Sequence, residues 1–173
     1  MGKVVPIKPR RKRSDGRRGN RGELLELCVK ALRMKGIHAY TRTEFKRLER
    51  IPDRYVLTNH PHPSLYGTPG RKEAYIYLDG EEFIVETKYQ AGTGSVDEKL
   101  PHVFECFLAS EIANWIVVFN GRYWKNDLRG KAALKWFRNF VAERRVLHAV
   151  PDNRKLYICS LDEFYGLKEW GDK

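Results

Sequence analysis

The sequence predicts one α/β domain on a mixed sheet with helices packed against it. Three observations carry this. Apolar residues recur at helical spacing in three segments, 22–36, 101–115 and 128–145. Two aromatic-rich runs, EAYIYL and EEFIVETK, flank Asp79-Gly80, a dipeptide that favours a tight hairpin. NWIVVF, at 114–119, is apolar without alternation, as in a strand covered on both faces. A chain of 173 residues is long enough for one domain with its own core.

The N-terminus stands apart. Residues 1–21 hold nine Lys/Arg and one Asp, about +8 of the chain's +11, which leaves about +3 for the rest. With so few apolar residues this segment predicts a disordered basic arm, and residues 22–173 the folded domain. Arg10, Arg11, Lys12, Arg13, Arg17 and Arg18 suit a polyanion. Nucleic acid fits better than an anionic membrane, because the arm has no leucine or aromatic face. No apolar run is long enough to span a bilayer, and no N-terminal apolar segment reads as a secretion signal. Cys28, Cys106 and Cys159 lack paired spacing and read as core thiols in a reducing compartment, which predicts a cytoplasmic protein.

The elements follow in order. GELLELCVKALRMKG reads as a helix with Leu24, Leu27, Cys28, Ala31 and Leu32 on one stripe and Gly36 at its end. IHAYTRT is a candidate strand, and Glu44 to Arg50 a short helical segment. Residues 51–72 are rich in proline and predict mostly loop, extended only at YVLT. The hairpin follows. Pro101 opens the second long helix, NWIVVF is the buried strand, and GRYWKND turns the chain. The third long helix takes Leu128, Ala132, Trp136 and Phe140 as its buried stripe. RVLHAV and KLYICS predict short strands. Ser160 and Glu163 make a capping box before a closing helix.

The hairpin also predicts geometry. With Asp79 and Gly80 as the loop, Leu78 pairs with Glu81 and paired numbers sum to 159. Glu73 then faces Glu86, and Arg71 faces Lys88. Period-2 alternation puts Glu86 and Lys88 on one face of their strand. Two facing glutamates repel unless a cation joins them. Mg²⁺ fits, since it takes one or two carboxylates and keeps several waters. The other reading of the same residues is a surface ion-pair ladder with Arg71 and Lys88, of small net worth.

The run AYIYLDGEEFIVETKYQ, with an acidic residue just upstream, resembles the core of the PD-(D/E)xK nuclease superfamily. Glu86-Thr87-Lys88 stands as its E-x-K, and Glu73 stands where an aspartate is usual. The tract QAGTGSVDEKLP resembles a subgroup common in phage and mobile-element proteins. The likeness covers residues 22–120.

The resemblance implies a restriction-endonuclease-like core: a helix, three mixed strands, a helix and a fourth strand. It implies an Mg²⁺-dependent DNA endonuclease, with Mn²⁺ able to substitute, that leaves 5′-phosphate and 3′-hydroxyl ends. Glu73 and Glu86 would bind the metal, joined by a glutamate of the first helix, Glu26 or Glu23. Lys88 would position or activate the water and Gln90 would assist at the site. Lys99 and Ser95 would contact the nucleic acid. No Pro-Asp opens the hairpin. Pro52-Asp53 matches it literally, but Asp53 lies 33 residues before Glu86, and the hairpin register favours Glu73.

Other features point less sharply. His60 and His62 lack a clear third ligand and read as loop residues. Tyr89, Tyr123 and Trp124 are candidates either for base stacking or for packing. Gly92-Thr93-Gly94 lacks the Lys-Ser ending of a phosphate-binding loop. Two other classes remain at this level, a non-catalytic DNA-binding or packaging protein and an RNA-directed nuclease. Cleavage of a junction or a symmetric duplex site would imply a homodimer, whereas nicking is compatible with a monomer.

Overall fold

The computed structural model describes residues 16–63, 69–92 and 97–171, with side chains at 22–61, 74–92 and 98–171. Its frame is a six-stranded sheet in simple chain order. The strands are β1 (His38–Tyr40), β2 (Arg54–Pro63), β3 (Pro69–Leu78), β4 (Glu81–Tyr89), β5 (Asn114–Asn120) and β6 (Leu156–Ser160). β2–β3 and β3–β4 pair antiparallel, while β1–β2, β4–β5 and β5–β6 pair in parallel. The helices are α1 (Gly16–Met34), α2 (Arg42–Phe45), α3 (Leu100–Ala109), α4 (Arg122–Asn126), α5 (Leu128–Leu147) and α6 (Leu161–Tyr165). The order α1, β2–β4, α3, β5 is the helix, three strands, helix, strand core expected above.

Strand alternation sorts the core into two layers. On one face Leu24, Cys28 and Leu32 of α1, with Phe164 of α6, meet Val56, Ile76, Phe83, Val85 and Ile116. On the other, Phe104 and Phe107 of α3 and Phe137 and Val141 of α5 meet Ile84, Trp115, Val117 and Phe119. Burying each of these large side chains contributes about 1.5–3 kcal/mol. β5 is apolar on both faces because it lies between both helix layers. The cysteines form no disulfide; Cys28 and Cys159 are buried, and burial pushes the Cys159 thiol up to about 12.

Local signals hold at several element ends. Gly36, at φ 76, ends α1 as expected: Gly36 N donates to Arg33 O and Ile37 N to Leu32 O, both at 3.0 Å. Ser160 and Glu163 form the predicted capping box of α6. Asp79 (φ 49) and Gly80 (φ 96) both take the positive φ of a type I′ hairpin turn.

Five expectations are corrected. β2 runs through NHPHP, where loop was expected. Residues 58–63 extend beyond the reach of β1, which pairs only with 55–57, so Pro61 and Pro63 lie on an open edge that needs no N–H. RVLHAV is not a strand but the end of α5, closed at Ala149 (φ 46) by Ala149 N to Val146 O and Val150 N to Arg145 O. GRYWKND forms α4. The buried stripe of α5 is Gly130, Phe137 and Val141, and Leu128 is 81% exposed. Gly130 sets this rotation: a Cβ there would come within 2.7 Å of the Tyr123 carbonyl carbon. α1 also begins at Gly16 rather than Gly22, inside the segment expected as a disordered arm; arginine favours helix.

Candidate active site

The hairpin register is as the sequence predicts, running from Leu78↔Glu81 to Ala74↔Val85. Glu73 and Glu86 are the next residues along the two strands. The Glu73 side chain lies outside the described residues. On β2 the pairs stop at Thr58↔Ala74 and resume at His60↔Lys72. Between them Asn59 holds φ 54, a left-handed backbone uncommon for a residue with a Cβ. The sheet is therefore irregular at the level of Glu73.

Glu86 and Lys88 rise from the face of β4 that carries Ile84, beside Val117 and Phe119 of β5. Lys88 Nζ donates to Glu86 Oε1 at 2.7 Å. Their side chains are only 18% and 14% exposed, respectively. The pair is therefore part-buried rather than fully solvated, and the Arg71 side chain of the expected ladder lies outside the described residues. Thr87 between them is buried on the opposite face.

Gln90 closes β4 through its backbone. Its N–H donates to Asn120 O at 3.0 Å and its carbonyl accepts from Tyr123 N at 3.1 Å. Gly121 makes room for this, at φ 110, where a Cβ would lie 2.8 Å from the Gln90 carbonyl carbon. The C-terminal end of β4 is thus spliced to the β5–α4 turn. Beside it a cleft of about 350 Å³ is lined by Ala91, Gly92, Arg122, Tyr123, Asn126 and Asp127. Such clefts at the carboxyl ends of parallel strands are where open α/β sheets bind ligands.

Other candidates fall variously. Glu26 is exposed on α1, the helix over the Phe83–Val85 face, whereas Glu86 and Lys88 rise from the other. Glu23 is exposed as well. Lys99 is exposed at the N-cap of α3. Ser95 and Arg10, Arg11, Lys12 and Arg13 lie outside the described residues, as do the side chains of Arg17, Arg18 and His62. Asp53 is at the wrong end: its carbonyl accepts from Asp79 N at the hairpin turn, about 17 Å of strand from Glu86. Tyr123 and Trp124 are buried and pack, and Tyr89 packs beneath α1.

Sequence reasoning missed His60, which is in β2 rather than in a loop. Its ring stacks on Tyr75 at 4.5 Å. Burial lowers its pKa, with Glu82 opposing and Arg42 adding. Tyr75 donates its hydroxyl to Glu82 Oε1 at 2.6 Å, and burial with this bond raises the Tyr75 pKa. No signal short of recognising β2 could have found this cluster.

Among the described residues no group of three or more His, Cys, Asp or Glu side chains gathers at one point. The donors at hand are carboxylate oxygens, which suit a hard cation. Mg²⁺ takes one or two carboxylates and completes its shell with water, a requirement that the Glu86 carboxylate meets in part.

A family model described as the PD-(D/E)XK nuclease superfamily domain matches residues 18–169. No curated protein and no solved structure matches the chain.

Proposed function

We propose that this chain, which belongs to the PD-(D/E)XK nuclease superfamily, is an Mg²⁺-dependent endonuclease that hydrolyses phosphodiester bonds in DNA. One observation carries the reading: a carboxylate and an ammonium 2.7 Å apart on one strand face, held largely out of water near the end of β4. Desolvating such a pair can cost as much as its attraction returns, so packing alone gives little reason for it.

In this reading Glu86 and Glu73 hold the metal, while Glu26, on the helix over the opposite face of the sheet, is not among its ligands. Bound Mg²⁺ supplies Lewis-acid polarisation of the phosphate and a more acidic water, and Mn²⁺ substitutes for it. Lys88 positions or deprotonates the attacking water, and its charge steadies the phosphoryl oxygens as negative charge grows on them. The Lys88–Glu86 contact fixes the orientation of both side chains before substrate arrives. Gln90 keeps the end of β4 in place through its two backbone bonds. Ser95, Lys99 and the basic residues Arg10 to Arg18 contact phosphates, which raises affinity without selecting sequence. The GSVDEK tract supports kinship with the phage and mobile-element subgroup. Symmetric cleavage would require a homodimer.

The test compares supercoiled, linear, single-stranded, branched and RNA substrates with Mg²⁺, with EDTA, and with Glu86→Ala and Lys88→Ala. Each substitution is expected to lower cleavage by about 100-fold or more, and EDTA to abolish it. Unchanged cleavage in both variants removes this active site.

A further inference from the structure

α5 exposes an aromatic residue that the fold does not use. Trp136 is 48% exposed, whereas Trp115, Trp124 and Trp170 are buried. Its indole stacks on Phe140 at 5.1 Å and 27°, and the Arg144 guanidinium lies over Phe140 at 5.3 Å. The three form a column that ends in an indole with no other ring against it among the described residues. An exposed tryptophan pre-stacked in this way keeps its ring oriented and its apolar face wet.

Its place in the fold is defined. Phe140 meets Phe104 of α3 edge to face at 5.8 Å. One turn earlier on each helix lie Trp136 and the Lys99–Leu100 start of α3, and the Asp97–Lys99 turn lies against α5. Both helices start at the end of the sheet that carries Lys88 and Gln90. The surroundings are basic: α5 carries six Lys/Arg against Glu143 alone. Lys99, Arg129, Lys131 and Lys135 are exposed and make no ion pair with a described residue. By contrast, Lys125 and Arg138 are paired with Asp162 and Glu163.

We infer that Trp136 is a stacking platform for an unpaired nucleobase, with Lys99, Arg129, Lys131 and Lys135 holding the flanking phosphates. The charge argues against a second copy of this basic chain as the occupant and for a polyanion. The flat, pre-stacked indole argues for a base whose π-face is free, as in a single strand or the open arm of a branched substrate. This deepens the nuclease reading by assigning it a strand whose bases are accessible.

The test uses the full chain in EDTA, so that no cleavage is read, with a thymidine oligonucleotide of about 15 nucleotides. Trp136 is the tryptophan that a quencher reaches, so intrinsic emission reports on it. The oligonucleotide is expected to quench that emission and to shield it from acrylamide. Trp136→Phe should remove the signal and keep affinity, measured by anisotropy, within about threefold. Trp136→Leu and Trp136→Ala should each weaken binding about tenfold at an unchanged melting temperature. A duplex of equal length should bind without shielding the indole. Tighter binding of a ribo-oligonucleotide supports the platform and moves its strand to RNA. Full affinity in Trp136→Leu, or acrylamide access unchanged by the oligonucleotide, overturns the inference. So does a dimer in sedimentation that Trp136→Leu dissociates. Because cleavage is not measured, the platform and the Glu86–Lys88 site stand or fall separately.

Discussion

The Glu86–Lys88 pair makes a quantitative claim that a double-mutant cycle can test. At an effective dielectric of about 20, charges 2.7 Å apart attract by about 6 kcal/mol before desolvation is subtracted. Removing one partner of this part-buried pair takes that attraction from the other charge, at a cost of about 3 kcal/mol, the low end of the range for buried pairs. Glu86→Gln and Lys88→Met should therefore each lower urea-unfolding stability by about 3 kcal/mol. The double variant, which buries no net charge, should lose about 1 kcal/mol or less, for a coupling of several kcal/mol. Mg²⁺ adds a discriminating arm. It should restore much of the stability of Lys88→Met, where the Glu86 carboxylate remains to bind it, and none of that of Glu86→Gln. Single-variant losses below about 0.5 kcal/mol, the size of an exposed pair, would refute the argument. Equal Mg²⁺ responses in the two variants would refute the metal part of it.

Three further outcomes follow. Gly121→Ala forces a Cβ against the Gln90 carbonyl at φ 110; strain and clash together should cost about 2–5 kcal/mol and lower the melting temperature by about 5–15 °C in a calorimetric scan, with cleavage reduced further than stability. Gly130→Ala meets the Tyr123 backbone and should destabilise α5 by about 2–4 kcal/mol, where a gain of stability would contradict the packing described. The Ser160 N–H chiefly holds the Glu163 carboxyl below its ordinary value, against burial and with help from Arg138. The capping box of α6 is thus worth most near neutral pH and is lost as the pH falls through that lowered value. Glu163→Gln, which removes the carboxylate that the Ser160 N–H holds, should cost about 1 kcal/mol at pH 7, and the difference should shrink in acid.

Features set by short-range chemistry were legible in the sequence. Asp79-Gly80 dictates a type I′ turn, which dictates the register from Leu78↔Glu81 to Ala74↔Val85 without any knowledge of the sheet. Gly36 and the Ser160–Glu163 box likewise carry their geometry in their own residue types. What escaped depends on distant neighbours. Prolines in 58–63 argue against a strand until it is known that β1 stops at Tyr40 and leaves that edge bare. The end of α5 rests on Ala149 at φ 46, a cap for which alanine gives no sign. The rotation of α5 is set by how closely Gly130 approaches Tyr123. Apolar spacing alone instead selects Leu128, Ala132, Trp136 and Phe140. Three of those four residues are exposed, and that inversion is what presents Trp136 to solvent. His60 escaped for a related reason, since only the left-handed turn at Asn59 and the hidden strand bring it onto Tyr75.

The two ends of β4 differ in how they use polar groups, and the difference bears on where chemistry can occur. At the N-terminal end the charges are consumed by structure. Lys155 pairs with Glu81 at 2.8 Å, Arg54 pairs with Asp79 and donates to Trp170 O, and Tyr157 donates to Glu169. These contacts tie the hairpin turn to β6 and to the C-terminal segment, so that end behaves as an anchor. At the C-terminal end the backbone is clamped instead, through Gln90, Asn120 and Tyr123, while the side chains nearby include a part-buried ion pair and several exposed bases. A rigid backbone under a charged surface is the arrangement a phosphodiester site needs, because catalytic groups must be held within tenths of an ångström while the ligand supplies the countercharge. If the anchor rather than the clamp positions Lys88, Lys155→Ala should reduce cleavage as much as Gly121→Ala does. The geometry assigns that role to the clamp, so Lys155→Ala should lower stability by about 1 kcal/mol or less and leave kcat within about twofold.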